Sequence, residues 1–348
     1  MGSELSTSSE TAVVALSDDT RKLIAQSARP NTRRAYAAQL KQWLAWSEAN
    51  GLVSFPADPN AVANYLTERA TKGQTVSTLR TVVAAIKAGH DAKGLTFDSK
   101  SPAIVRTLRG ITNAAPRIAK QAEPIRGPDI LDLMDSTDAS LIGARDAALL
   151  ALGYVFALRR SELVALDFET QGDGDGVLRI TARTMEVAFA ISKTSTGETQ
   201  TVAVPRLENA EAVQAVETWV KLAGIKKGEP LLQNVRKGGK LGGRLHPQSV
   251  AKIIKARVGM HYEDLGASRD DARAEASRFS GHSLRVGFCV SAAEAGADLR
   301  AMATVSRHKS LTMPARYAQK AEQIRTSPHR LAGVGLNRGS LLSGRFSP

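Results

Sequence analysis

The sequence predicts a mainly α-helical protein with a small β-sheet, arranged as an all-α N-terminal domain followed by a mixed α+β domain. Three observations predict it. Apolar residues recur at helical spacing from about residue 17 to about 113, a base- and proline-rich stretch without any period follows, and β-branched clusters then interrupt a second set of helical patterns. A chain of 348 residues suits two domains, each able to bury its own core. Its 43% hydrophobic and 23% charged residues fit a globular protein and exclude wholesale disorder.

In the N-terminal part, residues 1–18 are rich in Ser, Thr and Glu and read as a flexible leader. Asn31 or Thr32 caps a helix whose apolar face is Tyr36, Leu40, Trp43 and Leu44, with Arg33, Arg34 and Lys41 off that stripe. Asp58-Pro59 starts a second helix carrying Val62, Tyr65 and Leu66 inward. A third, from about Thr75 to His90, buries Leu79, Val83 and Ile86 and leaves Arg80 and Lys87 outside. Ser101-Pro102 opens a fourth through Ile104, Val105 and Leu108. The result is a helical bundle with basic outer faces.

The organisation reads as a leader at 1–18, a helical domain at 19–115, a linker at 116–128, a second domain at 129–333 and a basic flexible tail at 334–348. The second domain opens with helices at about 129–135 and 141–157. Strands follow at Val177–Thr181, Val187–Ile191 and Thr199–Val204, the last two joined by a turn over 194–198. Helices return at about 208–223, 247–258, 283–296 and 298–306.

The 47 Lys and Arg against 34 Asp and Glu leave a formal charge of +13. A pI near 10.0 points to a polyanionic partner, nucleic acid or an anionic membrane surface. Aromatic residues at 5% argue against a single-strand binder built on stacking, which favours duplex DNA. No apolar run approaches the ~20 residues that crossing a bilayer takes, so no membrane association is expected. One cysteine, Cys289, excludes an internal disulfide or a Cys-rich zinc module and suggests a cytoplasmic setting. It reads as a small buried apolar residue. The six histidines show no metal-ligand spacing, and Gly172-Asp-Gly-Asp-Gly176 is too short for a phosphate or calcium loop, so it reads as a turn before a strand.

Several residues remain that carry chemistry together. Arg159 stands at the end of an apolar helix with Glu162 three residues on; Lys193 lies close to a hairpin turn; His282 and Arg285 are three apart; His308 precedes Tyr317 by nine. Separately, each has a plain structural explanation: a surface ion pair, a solvated strand edge, a satisfied histidine or tyrosine. Together they match what metal-free cleavage of a phosphodiester requires. Guanidinium groups fork onto phosphate oxygens and stabilise added negative charge, a tyrosine hydroxyl attacks phosphorus, and lysine and histidine move protons.

The order Arg, Lys, His-x-x-Arg, His and then Tyr nine residues later resembles the tyrosine site-specific recombinases, the group of Cre, the Xer proteins and phage integrases. The resemblance runs from about residue 18 to about 330, and Gly-His-Ser-x-Arg-Val-Gly at 281–287 is especially similar to Cre. It implies that Arg159 and Arg285 clamp the scissile phosphate and that His308 adds a hydrogen bond. Lys193 is implied as the general acid for the leaving 5′ oxygen, His282 as an aid to proton transfer, and Tyr317 as the nucleophile forming a 3′-phosphotyrosyl link. Glu162 matches a supporting acidic position.

It further implies an all-α core-binding domain that clamps DNA, joined to a mixed catalytic domain. Arg33, Arg34, Lys41, Arg80 and Lys87 are its candidate phosphate contacts. No metal or other cofactor is implied. The expected partners are duplex DNA with inverted-repeat sites and further copies of the chain: a homotetramer on two sites that works through a Holliday junction, and a monomer or weak oligomer without DNA. The short leader implies the two-domain form without the arm-binding domain of lambda-type integrases. A helix after Tyr317, at 318–331, is expected to dock on a neighbouring subunit. Rival readings are a type IB topoisomerase and a catalytically silent DNA-binding regulator.

Three departures from the pattern stand out. Ala157 replaces the Gly often found before Leu-Arg. Arg307 stands where Gly usually precedes the histidine, and its charge is expected to tighten DNA binding or to shift His308. Pro314 is expected to start the helix of Tyr317.

Overall fold

Trp43 sets the core of the N-terminal unit. It is fully buried, stacks on Trp46 at 5.5 Å and meets Tyr65 at 5.3 Å. The computed structural model describes residues 17, 19, 30–114, 122–190, 199–308 and 310–325, and the chain divides into units at 1–119 and 120–348. In the first unit α1 (Pro30–Ala49), α2 (Pro59–Thr71), α3 (Val76–Ala92) and α4 (Pro102–Ala114) enclose Val62, Leu66, Leu79, Val82, Ile86 and Ile104. The expected caps form: Asp58 accepts from the N–H groups of Asn60 and Ala61, and Thr75 from that of Thr78.

Two apolar positions turn out differently. Leu44 is 43% exposed and Val105 39%. Ser47 takes the inward position on α1 instead, its hydroxyl donating to the Trp43 carbonyl, so the stripe follows Leu40, Trp43 and Ser47. The ring of His90 is a satisfied core group: one nitrogen accepts from the Ala57 N–H at 2.9 Å and the other lies 2.7 Å from the Ile86 carbonyl. Arg33, Arg34, Lys41, Arg80 and Lys87 are all exposed. Lys87 is tied to Asp91 at 2.9 Å, whereas Arg80 shares a groove with Arg109 of α4.

The second unit is built on an almost wholly apolar helix. After α5 (Gly127–Asp135) comes α6 (Leu141–Val155), in which Ala148, Leu149, Leu150, Ala151 and Leu152 are all buried. A helix apolar all round belongs at a core's centre. Then follow α7 (Arg160–Val164), β1 (Leu166–Phe168), β2 (Gly176–Ile180), β3 (Thr184–Ala190), β4 (Thr199–Pro205), α8 (Ala210–Ala223), β5 (Gln233–Val235), β6 (Leu241–Arg244), α9 (Pro247–Asp264), α10 (Arg269–Ser277), α11 (Ser283–Glu294), α12 (Leu299–Ser306) and α13 (Thr312–Arg325). The sheet runs β1-β2-β3-β4, parallel only between β1 and β2, with Leu178, Val187 and Val202 in one buried row.

The Gly172–Gly176 segment does precede a strand, and its glycines have a further use. The N–H groups of Gly172 and Gly174 donate to buried Asp167, and a Cβ at either position would strike a backbone oxygen about 2 Å away. This tight loop lets β1 and β2 pair in parallel through a short link. The strands β1, β5 and β6 and helix α10 are additions to the expected elements.

The segment expected as linker is in part built into this unit. The N–H groups of Glu123 and Ile125 donate to the carbonyls of Arg278 and Ser283, and Ile125 is buried. Helix α13 starts two residues before Pro314, which sits in its first turn, where a missing N–H is no loss. Residues 326–331, expected to continue a docking helix, lie outside the described residues.

Gly287 of α11 admits the backbone of Ile125: a Cβ there would stand 1.7 Å from the Ile125 carbonyl oxygen. Gly287→Ala should therefore destabilise the second unit by about 2–3 kcal/mol. Thermal unfolding should record this as a Tm lowered by roughly 5–10 °C, and an unchanged Tm would contradict the packing.

Candidate active site

The site forms where α6 ends, α7 and α11 begin and α12 ends. Arg159 is the N-cap of α7, not the end of α6; the chain turns between them through Ala157, whose φ is 46°. That conformation suits glycine and costs a residue with a Cβ about 1 kcal/mol. The turn aims the Ala157 carbonyl at Arg285, whose Nη1 donates to it at 2.8 Å.

Arg285, in the first turn of α11, is 1% exposed. Its Nε and Nη2 meet no acceptor among the described residues. Burial first, and the nearby charge of Arg159 second, push its pKa down to about 10. Buried donors without an acceptor cost about 1–3 kcal/mol each, and although the Glu162 charge partly offsets that of Arg159, no carboxylate among the described residues forms an ion pair with this guanidinium. Such a group is adapted to an anion, and its fork matches a phosphate.

Glu162 closes the helix start as a capping box. Its Oε2 accepts from the Arg159 N–H at 2.8 Å and its Oε1 from Arg159 Nη1 at 2.6 Å. Burial pushes this carboxyl up, but the Arg307 charge and the hydrogen bonds from Arg159 and Arg307 outweigh it and hold it below its ordinary value. Arg159 keeps its side chain 40% exposed, with Nη2 donating to the Arg307 carbonyl at 3.1 Å.

Both histidines are neutral near pH 7. Burial, then Arg285 and Arg159, lower His282, the N-cap of α11. Burial, then the same two arginines, His282 and Arg307, push His308 down to about 4. Ser306, which the sequence reasoning missed, lies between Met302 and His308: its hydroxyl donates to the Met302 carbonyl at 2.6 Å and stands 2.6 Å from His308 Nδ1. A hydroxyl carries one hydrogen and a carbonyl can only accept, so the imidazole hydrogen sits on Nδ1. A polar residue closing a helix, two positions before the histidine, was the available signal.

Tyr317, on α13, packs against Cys289, Ala293 and Met302. Burial raises its pKa, so the phenol keeps its proton until a base removes it. Cys289 is buried. The structure thus brings together Arg159, Glu162, His282, Arg285, His308 and Tyr317. Lys193, between β3 and β4, lies outside the described residues. Among the described residues no group of three or more His, Cys, Asp or Glu is placed to hold a metal ion, and no helix is long and apolar enough to cross a membrane.

Arg307 departs from expectation. Its side chain is 6% exposed and turned inward onto Glu162, at 2.8 Å, instead of outward toward DNA. The cause is the backbone: with φ 51° and ψ 47° residue 307 is the left-handed end of α12, which leads its side chain under the Phe156 carbonyl.

A helical N-terminal unit and two neighbouring arginines beside a tyrosine point to a class, the DNA breaking-and-joining enzymes that act through tyrosine. The comparisons sharpen it. The phage integrase family profile matches residues 124–323, and the phage integrase N-terminal SAM-like domain matches 20–92. An integrase/recombinase XerD homolog of Selenomonas ruminantium is 31% identical over 318 residues, 88% of this chain and 86% of its own. The recombinase Cre of Escherichia phage P1 is 25% identical over 303 residues, 82% and 85% of the two chains. XerH bound to a palindromic difH substrate, in a post-cleavage complex, shares the fold with a TM-score of 0.59 at 16% identity, over 92% of this chain and 85% of that one. The chain belongs to the phage integrase family of tyrosine recombinases. It is a site-specific recombinase that cleaves and rejoins DNA, and the topoisomerase and silent-regulator readings are not favoured.

The site has a pH signature. The folded-state pKa of His308, about 4, lies below its ordinary 6.5, so the unfolded chain takes up the proton first. Stability from this group is full above about pH 6.5 and is lost as the pH falls through about 4. Melting the DNA-free protein across that window should show Tm falling with acid, and less steeply in His308→Gln. Equal slopes in the two proteins would contradict the half-buried, neutral imidazole.

Proposed function

We propose that Arg159 and Arg285 hold the scissile phosphate of duplex DNA while the Tyr317 Oη attacks phosphorus. The P–O5′ bond breaks and a 3′-phosphotyrosyl bond forms. The tyrosine proton passes to neutral His282, and Lys193 protonates the departing 5′ oxygen. His308, neutral without DNA, takes up a proton as the phosphate arrives and then donates from Nε2 to a non-bridging oxygen. Glu162 positions Arg159. Attack by a free 5′ hydroxyl from a second duplex reverses the chemistry and exchanges strands.

The observation that carries this reading is Arg285: a buried guanidinium with two unmatched donors, near the charge of Arg159 and in ion-pair contact with no carboxylate among the described residues. Phosphate supplies both the charge and the acceptors it lacks. Arg33, Arg34, Lys41 and Arg80 serve as phosphate contacts of the N-terminal unit, with Lys87 shared between DNA and Asp91. Two inverted-repeat sites held by four copies, exchanging strands through a Holliday junction, complete the reaction, with a monomer or weak oligomer in the absence of DNA. The place of action is the cytoplasm of a bacterial cell, as suits relatives from bacteria and a phage.

The test is covalent trapping. Nicked duplexes tiled from the DNA flanking the protein's own gene are incubated with wild type and Tyr317→Phe, and SDS-resistant adducts are scored. Wild type should form an adduct at one discrete sequence, and Tyr317→Phe should bind the same DNA with adduct reduced at least ~10³-fold. An adduct of normal yield in Tyr317→Phe would remove Tyr317 as nucleophile.

A further inference from the structure

We propose that Arg307 is a positioning residue for cleavage: its buried guanidinium shares the Glu162 carboxylate with Arg159 and thereby fixes how Arg159 meets the scissile phosphate. The proposal rests on the reading of the site given above.

The donors of Arg307 are committed to protein. Nη1 reaches the carbonyls of Phe156 at 3.3 Å and Val305 at 3.0 Å, and Nη2 reaches Phe156 at 3.3 Å and Glu162 Oε2 at 2.8 Å. Its cationic carbon stands 5.2 Å from the centre of the Phe189 ring on β3. The remaining donor, Nε, is buried and meets no acceptor among the described residues. A guanidinium used in this way holds neighbouring elements together and has little left for DNA.

The connections form a closed circuit. Arg159 donates to Glu162 with its backbone and its side chain, Glu162 accepts from Arg307, and the Arg307 carbonyl accepts from Arg159 Nη2. One carboxylate between two cations leaves part of the Arg159 charge unbalanced and free to act on a phosphate. Without the Arg307 side chain, Glu162 would pair with Arg159 alone, neutralise it more fully, and lose the restraint on Oε2. A mostly buried carboxyl with one cation fewer is also harder to keep ionised.

The left-handed backbone at 307 makes a clean test possible, since Arg307→Gly removes the side chain, keeps the carbonyl and suits the conformation. Single-turnover cleavage of the nicked site and DNA affinity are measured from about pH 6 to about pH 8 for wild type, Arg307→Gly, Arg307→Lys, Glu162→Gln, the Arg307→Gly/Glu162→Gln double variant and Tyr317→Phe.

Arg307→Gly should cleave about tenfold slower at the upper pH with affinity within about twofold of wild type. Its loss should deepen toward the lower pH as Glu162 protonates. Arg307→Lys should recover part of the rate, since it restores charge without the fork. The double variant should be no slower than Glu162→Gln alone, because a neutral side chain needs no second cation.

Wild-type rate and pH profile in Arg307→Gly would overturn the proposal. Losses that multiply in the double variant would do so too, as would lost affinity at unchanged rate, which would make Arg307 a DNA contact. If Arg307→Gly shows no cooperative melt, Arg307→Lys carries the comparison: wild-type rate and pH profile would support charge sharing, and a profile identical to Glu162→Gln would overturn it. A Tyr317→Phe adduct would instead overturn the reading of the site itself, which separates the two failures.

Discussion

A buried guanidinium, Arg285, held close to a second one, the half-exposed Arg159, is the constraint on which the catalytic unit depends. Arg285 is buried with a single hydrogen bond among the described residues, to the Ala157 carbonyl, and its charge is felt by His282, His308 and Tyr317. Like charges in a low-dielectric setting repel strongly, and apart from Arg307, which is paired with Glu162, the titratable groups around them are held neutral or negative. Both imidazoles are driven to the neutral form, the phenol keeps its proton, and one carboxylate, Glu162, stays ionised between two arginines. The apolar α6 and the close approach of Ile125 to Gly287 fix α11, and with it Arg285, against the rest of the core. On the proposed reading, phosphate binding relieves a repulsion already present in the fold, and the added charge of the transition state relieves it further.

Much of this was legible in the residues. Capping signals at Asp58 and Thr75 were sufficient because a cap is local chemistry, and the spaced apolar positions of α3 needed no partner to be recognised. The order Arg159, Lys193, His282, Arg285, His308, Tyr317 reads as chemistry because few other uses require all six, and five of them lie together in the structure, with Lys193 outside the described residues. Which face of an amphipathic helix is buried was less so. Leu44 and Val105 extend apolar stripes wider than the neighbouring helices cover, and only those neighbours decide where the stripe stops. Strands of three residues such as β1 and β5 are too short to show a period, and α10, rich in Ala and charge, shows no apolar stripe. The start of the second unit was obscured because prolines and basic residues at 116–128 look like a linker whether or not Ile125 is buried.

Two of the three departures from the family pattern, Ala157 and Arg307, share a cause that sequence alone does not display. Both occupy left-handed positions, with φ of 46° and 51°, and that is where glycine is at no disadvantage. Ala157 occupies its position with the smallest side chain that has a Cβ, and its carbonyl still reaches Arg285. Arg307 uses the same geometry to send a long side chain inward, so a residue that looks like an extra contact for DNA becomes an internal partner of Glu162. Direction of the side chain, set by two backbone angles, decides between those uses.

The central claim is that Arg285 serves the negative charge of the scissile phosphate. It is tested most directly by comparing wild type and Arg285→Ala on a natural phosphodiester and on the same site with a neutral methylphosphonate at the scissile position. On the phosphodiester the variant should cleave at least ~10³-fold more slowly, and on the methylphosphonate the deficit should shrink to about tenfold or less, since there is no longer a full charge to balance. An equal deficit on both substrates would contradict the account and reduce Arg285 to a structural residue of α11.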